Sequence, residues 1–265
     1  PDAILVRSAQ ISESELDDSL KAIARAGAGV NNIPVEACSQ KGIVVFNTPG
    51  ANANAVKELA MASLLLASRE IVEGINWTRS LSPDIDIPKE VEKGKSKFAG
   101  PELYGKTLGV LGLGAIGAMV ANTAIELGME VFGYDPYITV DSAWVLSKSV
   151  KRAADKNTIF ENSDYIAIHV PSTPETKGII NSDSLSHMKD GVRIINLSRG
   201  DLVNNADMAI ALDSGKVAKY VTDFPSKEVL EMKNVVAIPH LGASTPESEE
   251  NCAVMAVIEL VDYLE

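Results

Sequence analysis

The run Leu108-Gly-Val-Leu-Gly-Leu-Gly-Ala-Ile-Gly117 decides the fold of this chain. It opens on apolar residues that read as a buried strand over Thr107–Leu111. Glycines follow at Gly112, Gly114 and Gly117, in the spacing G-x-G-x-x-G. Residues 116–127 then carry a helical pattern, and a second strand over Glu130–Tyr134 runs into Asp135. The glycine spacing alone is a weak signal. Between a strand and a helix, with an acidic residue closing the next strand, it becomes a strong one.

Each part of the run has a physical job in binding a dinucleotide. Gly112 permits a tight turn, Gly114 lets the backbone approach a pyrophosphate, and Gly117 lets helix and strand pack closely. The helix N-terminus, with Ala115 and Ile116 in its first turn, offers N–H groups and partial positive charge to the phosphates. Asp135 is placed to accept hydrogen bonds from the adenosine ribose. Pro136 and Tyr137 follow it, and neither is a cation to meet a 2′-phosphate, so NAD is the expected cofactor. The stretch reads as the first strand–loop–helix–strand of a Rossmann-type domain.

Outward from this run, strand and helix patterns alternate. Further strands are expected at 165–170, 193–197, 220–223 and 235–238, with helices at 182–188, Asn205–Ser214 and 247–264. Strands separated by helices imply parallel pairing and a doubly wound α/β sheet. Upstream, Ala3–Val6 and 42–46 read as strands, and 21–26 is ambiguous between helix and strand. A single long helix is expected over about 52–73, with Asn54 as a plausible N-cap. Residues 80–100, with prolines, glycines and lysines, read as a surface excursion holding at most one irregular helix.

Composition narrows the function classes. The chain has 265 residues, 46% hydrophobic and 23% charged, enough for one large or two modest domains. Its 24 basic and 36 acidic residues give a net charge of −12. Such a surface repels nucleic acid and anionic membrane, so neither is an expected partner. An anionic substrate would need local arginines. The two cysteines, Cys38 and Cys252, match no metal or redox spacing, and no metal is expected. With no apolar run of membrane-spanning length and no signal-like segment, a cytoplasmic location is expected.

A nicotinamide cofactor needs a neighbour that moves a proton as hydride moves, and histidine suits neutral pH. Of three histidines, His187 is expected on an exposed helix face. His169 ends a strand and either lines the cofactor crevice or packs there. His240 follows Pro239 on a loop leaving a strand, and is evenly balanced between a structural turn and a catalytic role. Arg199 ends the run Arg193-Ile-Ile-Asn-Leu-Ser-Arg-Gly200, where its fork would grip a carboxylate. A carboxylate partner would orient His240; Glu228, Glu231 and, more weakly, Asp223 compete for that part.

Several segments occur together in one order: Ala3-Ile-Leu-Val-Arg-Ser8, Arg25-Ala-Gly-Ala-Gly-Val-Asn-Asn32, Asn47-Thr-Pro49, Gly105 to Gly114, Gly133-Tyr-Asp-Pro136, Ile195-Asn-Leu-Ser-Arg-Gly200 and Pro239-His-Leu-Gly-Ala-Ser-Thr245. Together they resemble the D-2-hydroxyacid dehydrogenases over nearly the whole chain, most closely the branch acting on 3-phospho-D-glycerate. The resemblance implies a Rossmann NAD domain over 74–240, an incomplete flavodoxin-like substrate domain over 1–73, and a final helix over 241–265 returning to it. It implies Arg199, Glu228 and His240 as catalytic residues. It puts cofactor contacts on Gly112, Gly114, Ala115, Ile116, Gly117, Asp135, Val170, Leu197, Ser198, Asp223, Gly242 and Ala243. Substrate contacts would fall on Arg7, Arg25, Ala28 and Gly29.

The resemblance further implies a phosphorylated 2-hydroxy acid as substrate, serine biosynthesis as the setting, and a homodimer or tetramer. Alternatives are the same chemistry on glyoxylate, hydroxypyruvate or D-lactate, or an NAD-sensing corepressor-like protein. The sequence also departs from the family. Ala115 stands where Arg or Lys is common, Ala28 where Thr is usual, and the Glu-Pro pair expected around Glu228 is missing. The family's first strand and helix are expected ahead of Pro1, and a regulatory domain often follows where this chain stops.

Overall fold

The computed structural model describes all 265 residues, Pro1–Glu265. In chain order the elements are β1 (Ala3–Val6), β2 (Ala22–Arg25), α1 (Val35–Gln40), β3 (Val44–Asn47), α2 (Ala53–Ser68), α3 (Ile71–Ser80) and α4 (Ile87–Gly94). Then come β4 (Thr107–Leu111), α5 (Ala115–Glu126), β5 (Glu130–Tyr134), α6 (Val140–Val145), β6 (Lys151–Arg152), α7 (Lys156–Asn162) and β7 (Tyr165–Ile168). The chain closes with α8 (Ser182–His187), β8 (Val192–Asn196), α9 (Asn205–Ser214), β9 (Val217–Thr222), α10 (Lys227–Glu231), β10 (Val235–Ala237) and α11 (Pro246–Leu264). No helix is long and apolar enough to cross a membrane.

The chain divides into two compact units. The smaller combines Pro1–Val56 with Ala243–Glu265, and the larger is Lys57–Gly242. The smaller unit holds a parallel sheet in the order β1-β2-β3. Alternation along β2 resolves its ambiguity as a strand. Ile23 joins Val6, Ile11, Leu16, Leu20, Ile33, Cys38 and Ile43 on one face. Ala22 and Ala24 face the other way, where α11 covers them with Cys252, Ala256 and Leu260. A strand buried on both faces is apolar throughout, which removes the polar alternation that marks a half-exposed strand.

The larger unit is a seven-stranded sheet in the order β10-β9-β8-β7-β4-β5-β6, every pair parallel. This is the expected doubly wound architecture. Its core gathers Ile166, Ile168, Ile194 and Tyr220 from the strands with Ile159, Phe160, Leu185, Met208 and Leu212 from the covering helices. The short elements α6, β6 and α7, between β5 and β7, carry too few residues for a periodic signal.

Two expectations change. Residues 52–73 form two helices, with a break at Arg69 and Glu70; Asn54 lies inside the first turn of α2, not ahead of it. Residues 57–73, expected with the first domain, pack with the second unit. The Arg193 guanidinium donates to the Ala67 carbonyl at 2.9 Å, Ser68 Oγ bonds Tyr165 Oη at 2.8 Å, and buried Lys219 donates to Glu70 and Glu73 at 2.7 and 3.2 Å. Within 80–100 the chain forms α4, which Asp86 caps by accepting from Lys89 N at 3.2 Å.

Candidate active site

The strand order reverses between β4 and β7. The chain leaves β4 outward to β5 and β6, then returns to β7 on the other side of β4. Loops at the carboxyl ends of β4 and β7 therefore diverge, and a crevice opens there. The glycine run occupies that point.

The three glycines differ in what confines them. Gly112 has φ +89°, and a Cβ there would lie 2.6 Å from the His169 carbonyl oxygen. At Gly117 a Cβ would lie 1.9 Å from the Gly112 carbonyl oxygen and 3.4 Å from His169 Cβ. At Gly114 a Cβ would meet nothing within 4 Å. So the first and third glycines are required by the protein's own backbone, and the second keeps open a surface that the protein leaves uncovered. That is the cradle a pyrophosphate needs, with Gly114 as N-cap of α5 and free N–H groups beyond it.

Asp135 stands at the end of β5, and its carboxylate is fixed from two sides. It accepts from Leu113 N and from Tyr137 N, both at 2.8 Å. Each carboxylate oxygen keeps a further lone pair for a ribose hydroxyl. Asp135 lines a cavity of about 560 Å³ with Leu113, Tyr134, Ile138, Leu146 and Arg152, a size suited to adenosine. Open cradle, fixed acid and apolar cavity together fit NAD, the cofactor expected from the sequence.

The candidate groups for chemistry follow the carboxyl ends of β8, β9 and β10. Leu197, Ser198 and Arg199 follow β8. Ser198 Oγ donates to the Ile168 carbonyl at 2.7 Å and ties this loop to β7. Arg199 is exposed, with Nη1 donating to the Ser198 carbonyl at 2.7 Å. Asp223 follows β9 and is buried; its Oδ2 accepts from Gly242 N at 3.3 Å, while Oδ1 is buried without a partner. Burial pushes the Asp223 carboxyl up, against the pull of His240 and Arg199. Both His240 and Arg199 are therefore within electrostatic reach of Asp223.

His240 has φ +42°, a conformation rare outside glycine, and its N–H shares the Asp223 and Ile238 carbonyls at 3.1 and 3.0 Å. Its exposed ring lies 4.9 Å from that of Phe224. No hydrogen bond joins it to Glu228, whose carboxylate accepts from Ser226 Oγ at 2.7 Å on the short helix α10. The carboxylate beside His240 in this structure is Asp223, the weakest of the three sequence candidates. Phe224 and Pro225 bend the chain straight out of β9, so distance along the sequence does not report which acid stays near the ring.

The remaining histidines separate cleanly. His187 is exposed at the end of α8, with Nδ1 at 2.9 Å from the Asp183 carbonyl oxygen. His169 as a whole is half-buried, but both ring nitrogens lie out of solvent without a partner, and burial pushes its pKa down to about 4. Val170 follows it, with Cγ1 3.0 Å from the position of a Gly112 Cβ. Of the residues expected at the substrate, Arg7, Arg25, Ala28 and Gly29 belong to the smaller unit, as does Ala243. Arg7 donates to the Ala26 carbonyl and pairs with Glu249 at 3.1 Å, and the Ala28 carbonyl accepts from Asn47. Arg152, which sequence reading missed, sits on a two-residue edge strand too short to show a pattern.

A doubly wound parallel sheet with this turn at its point of reversal is a dinucleotide-binding domain. The family model described as D-isomer specific 2-hydroxyacid dehydrogenase, NAD binding domain, matches residues 61–242, and the chain belongs to that family. It is 37% identical over 99% of its length to a D-3-phosphoglycerate dehydrogenase of Synechocystis sp., covering 47% of that protein. A hydroxypyruvate reductase of Thermotoga maritima is 39% identical, with 99% of this chain and 83% of that one covered. The chain thus spans about half the length of the curated D-3-phosphoglycerate dehydrogenases it matches. Among solved structures, an NAD⁺-bound 3-phosphoglycerate dehydrogenase of Entamoeba histolytica superposes with a TM-score of 0.77 at 31% identity, covering 99% of this chain and 79% of that one.

Proposed function

We propose that the protein is an NAD-dependent dehydrogenase that oxidises the C2 hydroxyl of a D-2-hydroxy acid, 3-phospho-D-glycerate first among them, as the first step of serine biosynthesis. The observation that carries this reading is that Arg199, Asp223 and His240 follow the carboxyl ends of β8, β9 and β10, adjacent strands of the sheet whose β4 carries the glycine turn at its own carboxyl end.

NAD, when bound, accepts the hydride. The chain's own residues do the rest. Gly112, Gly114 and Gly117 with the start of α5 would hold the pyrophosphate, and Asp135 would hold the adenosine ribose. Arg199 grips the substrate carboxylate and polarises the C2–O bond. His240 takes the hydroxyl proton on Nε2 in oxidation and returns it in reduction. Asp223 keeps a carboxylate near His240, and Glu228 on α10 is the second candidate for orienting it. Arg7 and Arg25 are the candidates for a substrate phosphate, although Arg7 already pairs with Glu249.

A second substrate has specific support: the Thermotoga relative, matched over most of its length, is named a hydroxypyruvate reductase. Turnover measured on 3-phosphoglycerate, glycerate, hydroxypyruvate and glyoxylate separates the two. A preference for the phosphorylated acid supports the first reading, and equal or better use of hydroxypyruvate supports the second. His240→Gln is expected to lower kcat at least ~100-fold with NADH affinity within about twofold of the parent. Unchanged turnover would remove His240 from the mechanism.

A further inference from the structure

The adenosine cavity holds one feature the proposed function does not use. Arg152 ends the edge strand β6, in register with Gly133 of β5, and lines the same cavity as Asp135. Its guanidinium makes no ion pair or hydrogen bond. Its neighbour Lys151 differs: it pairs with Glu130 and lies 5.3 Å from the centroid of Phe132. Side chains alternate along a strand, so Lys151 is committed to one face and Arg152 is left on the other. Arg152 is exposed and stands in the cavity wall with its charge uncommitted. Ala115 adds no charge on the turn side, and Arg152 is the only cation in the cavity wall.

The cavity thus presents opposite charges to one ribose. The Asp135 carboxylate is pinned by two backbone N–H groups and cannot swing away. It favours a 2′-hydroxyl and repels a 2′-phosphate. Arg152 offers the planar fork that matches a phosphate. We propose that Arg152 is a cofactor-specificity residue: a cation able to receive an adenosine 2′-phosphate, so that the preference for NAD over NADP rests on the single charge of Asp135. This rests on the reading of the cavity as the adenosine site.

The test compares NADH and NADPH dissociation constants, by nucleotide fluorescence, in the parent chain, Asp135→Asn and Asp135→Asn with Arg152→Gln. Asparagine keeps one acceptor oxygen, for Leu113 N, and gives up the one at Tyr137 N. The ratio of NADPH to NADH affinity is expected to rise about tenfold or more in Asp135→Asn and to fall back when Arg152 is also replaced. A ratio that does not rise, or that stays high without Arg152, overturns the inference and leaves the NAD reading standing. A parent chain that binds no NADH overturns both. If Asp135→Asn does not fold, Arg152→Glu in the parent is expected to lower the ratio about tenfold, and an unchanged ratio overturns the proposal.

Discussion

His240 and His169 lie at the carboxyl ends of strands in one sheet and sit in opposite environments. His240 is exposed on a strained loop, whereas the His169 ring nitrogens are buried without partners. Burial holds the folded His169 pKa at about 4, against 6.5 when free. Between those values the unfolded chain binds the extra proton, so stability falls as pH drops through ~6.5 and stops falling near 4. The loss amounts to up to ~3 kcal/mol at ~1.4 kcal/mol per unit. His169→Leu is expected to lose less stability between pH 7 and pH 5 than the parent in urea unfolding; equal losses would contradict it. For His240, Glu228 is the residue to test. Glu228→Gln is expected to lower kcat about tenfold or more with NADH affinity unchanged if Glu228 orients His240 during turnover. An unchanged kcat would leave Asp223 as the candidate for that role. At this scale the sequence was informative where chemistry is local. The glycines and Asp135 declare themselves by spacing, because one turn positions them all. The partner of His240 does not, because β9 and β10 bring it near through the sheet.

At the scale of elements, β4 with α5 shows how one turn serves both fold and ligand. Gly117→Ala puts a methyl against the Gly112 carbonyl and must drive α5 off β4. It is expected to cost ~1–3 kcal/mol or more and to weaken NADH binding with it. Gly114→Ala meets no protein atom at φ −69°. It is expected to leave stability within about 1 kcal/mol while still lowering NADH affinity. Thermal melts run beside nucleotide titrations distinguish the two, and a Gly114→Ala chain that binds NADH normally would argue against a pyrophosphate there. The same contrast governs what was readable. Strands β4 and β5 matched their expected bounds because they are buried runs between sharp breakers. The break between α2 and α3 was hidden, since neither glycine nor proline marks Arg69 and Glu70. What bends the chain there is tertiary: Lys219, buried in β9, holds Glu70 and Glu73.

Across the whole molecule, charge and connectivity carry the argument. The surplus of acidic groups predicts that the chain passes through immobilised heparin at ~100 mM salt and pH 7.5. Retention would point to a polyanion-binding face and would weigh against an enzyme of small acids. The unit boundary at Val56 and Lys57, placed at residue 73 from sequence, was not legible because α2 runs through it without a change in composition. The division has a consequence for synthesis. The larger unit is one continuous stretch, whereas the smaller unit is closed by α11. On the ribosome, β1, β2 and β3 emerge before the nucleotide-binding stretch, and Ala22, Ala24 and Ala26 wait without cover until that stretch has been made and α11 follows. The usual order of maturation is thereby inverted: the stretch Lys57–Gly242 can settle while β1, β2 and β3 ahead of it are still unfinished, and a pause before α11 would leave a folded NAD domain tethered to an open, aggregation-prone sheet.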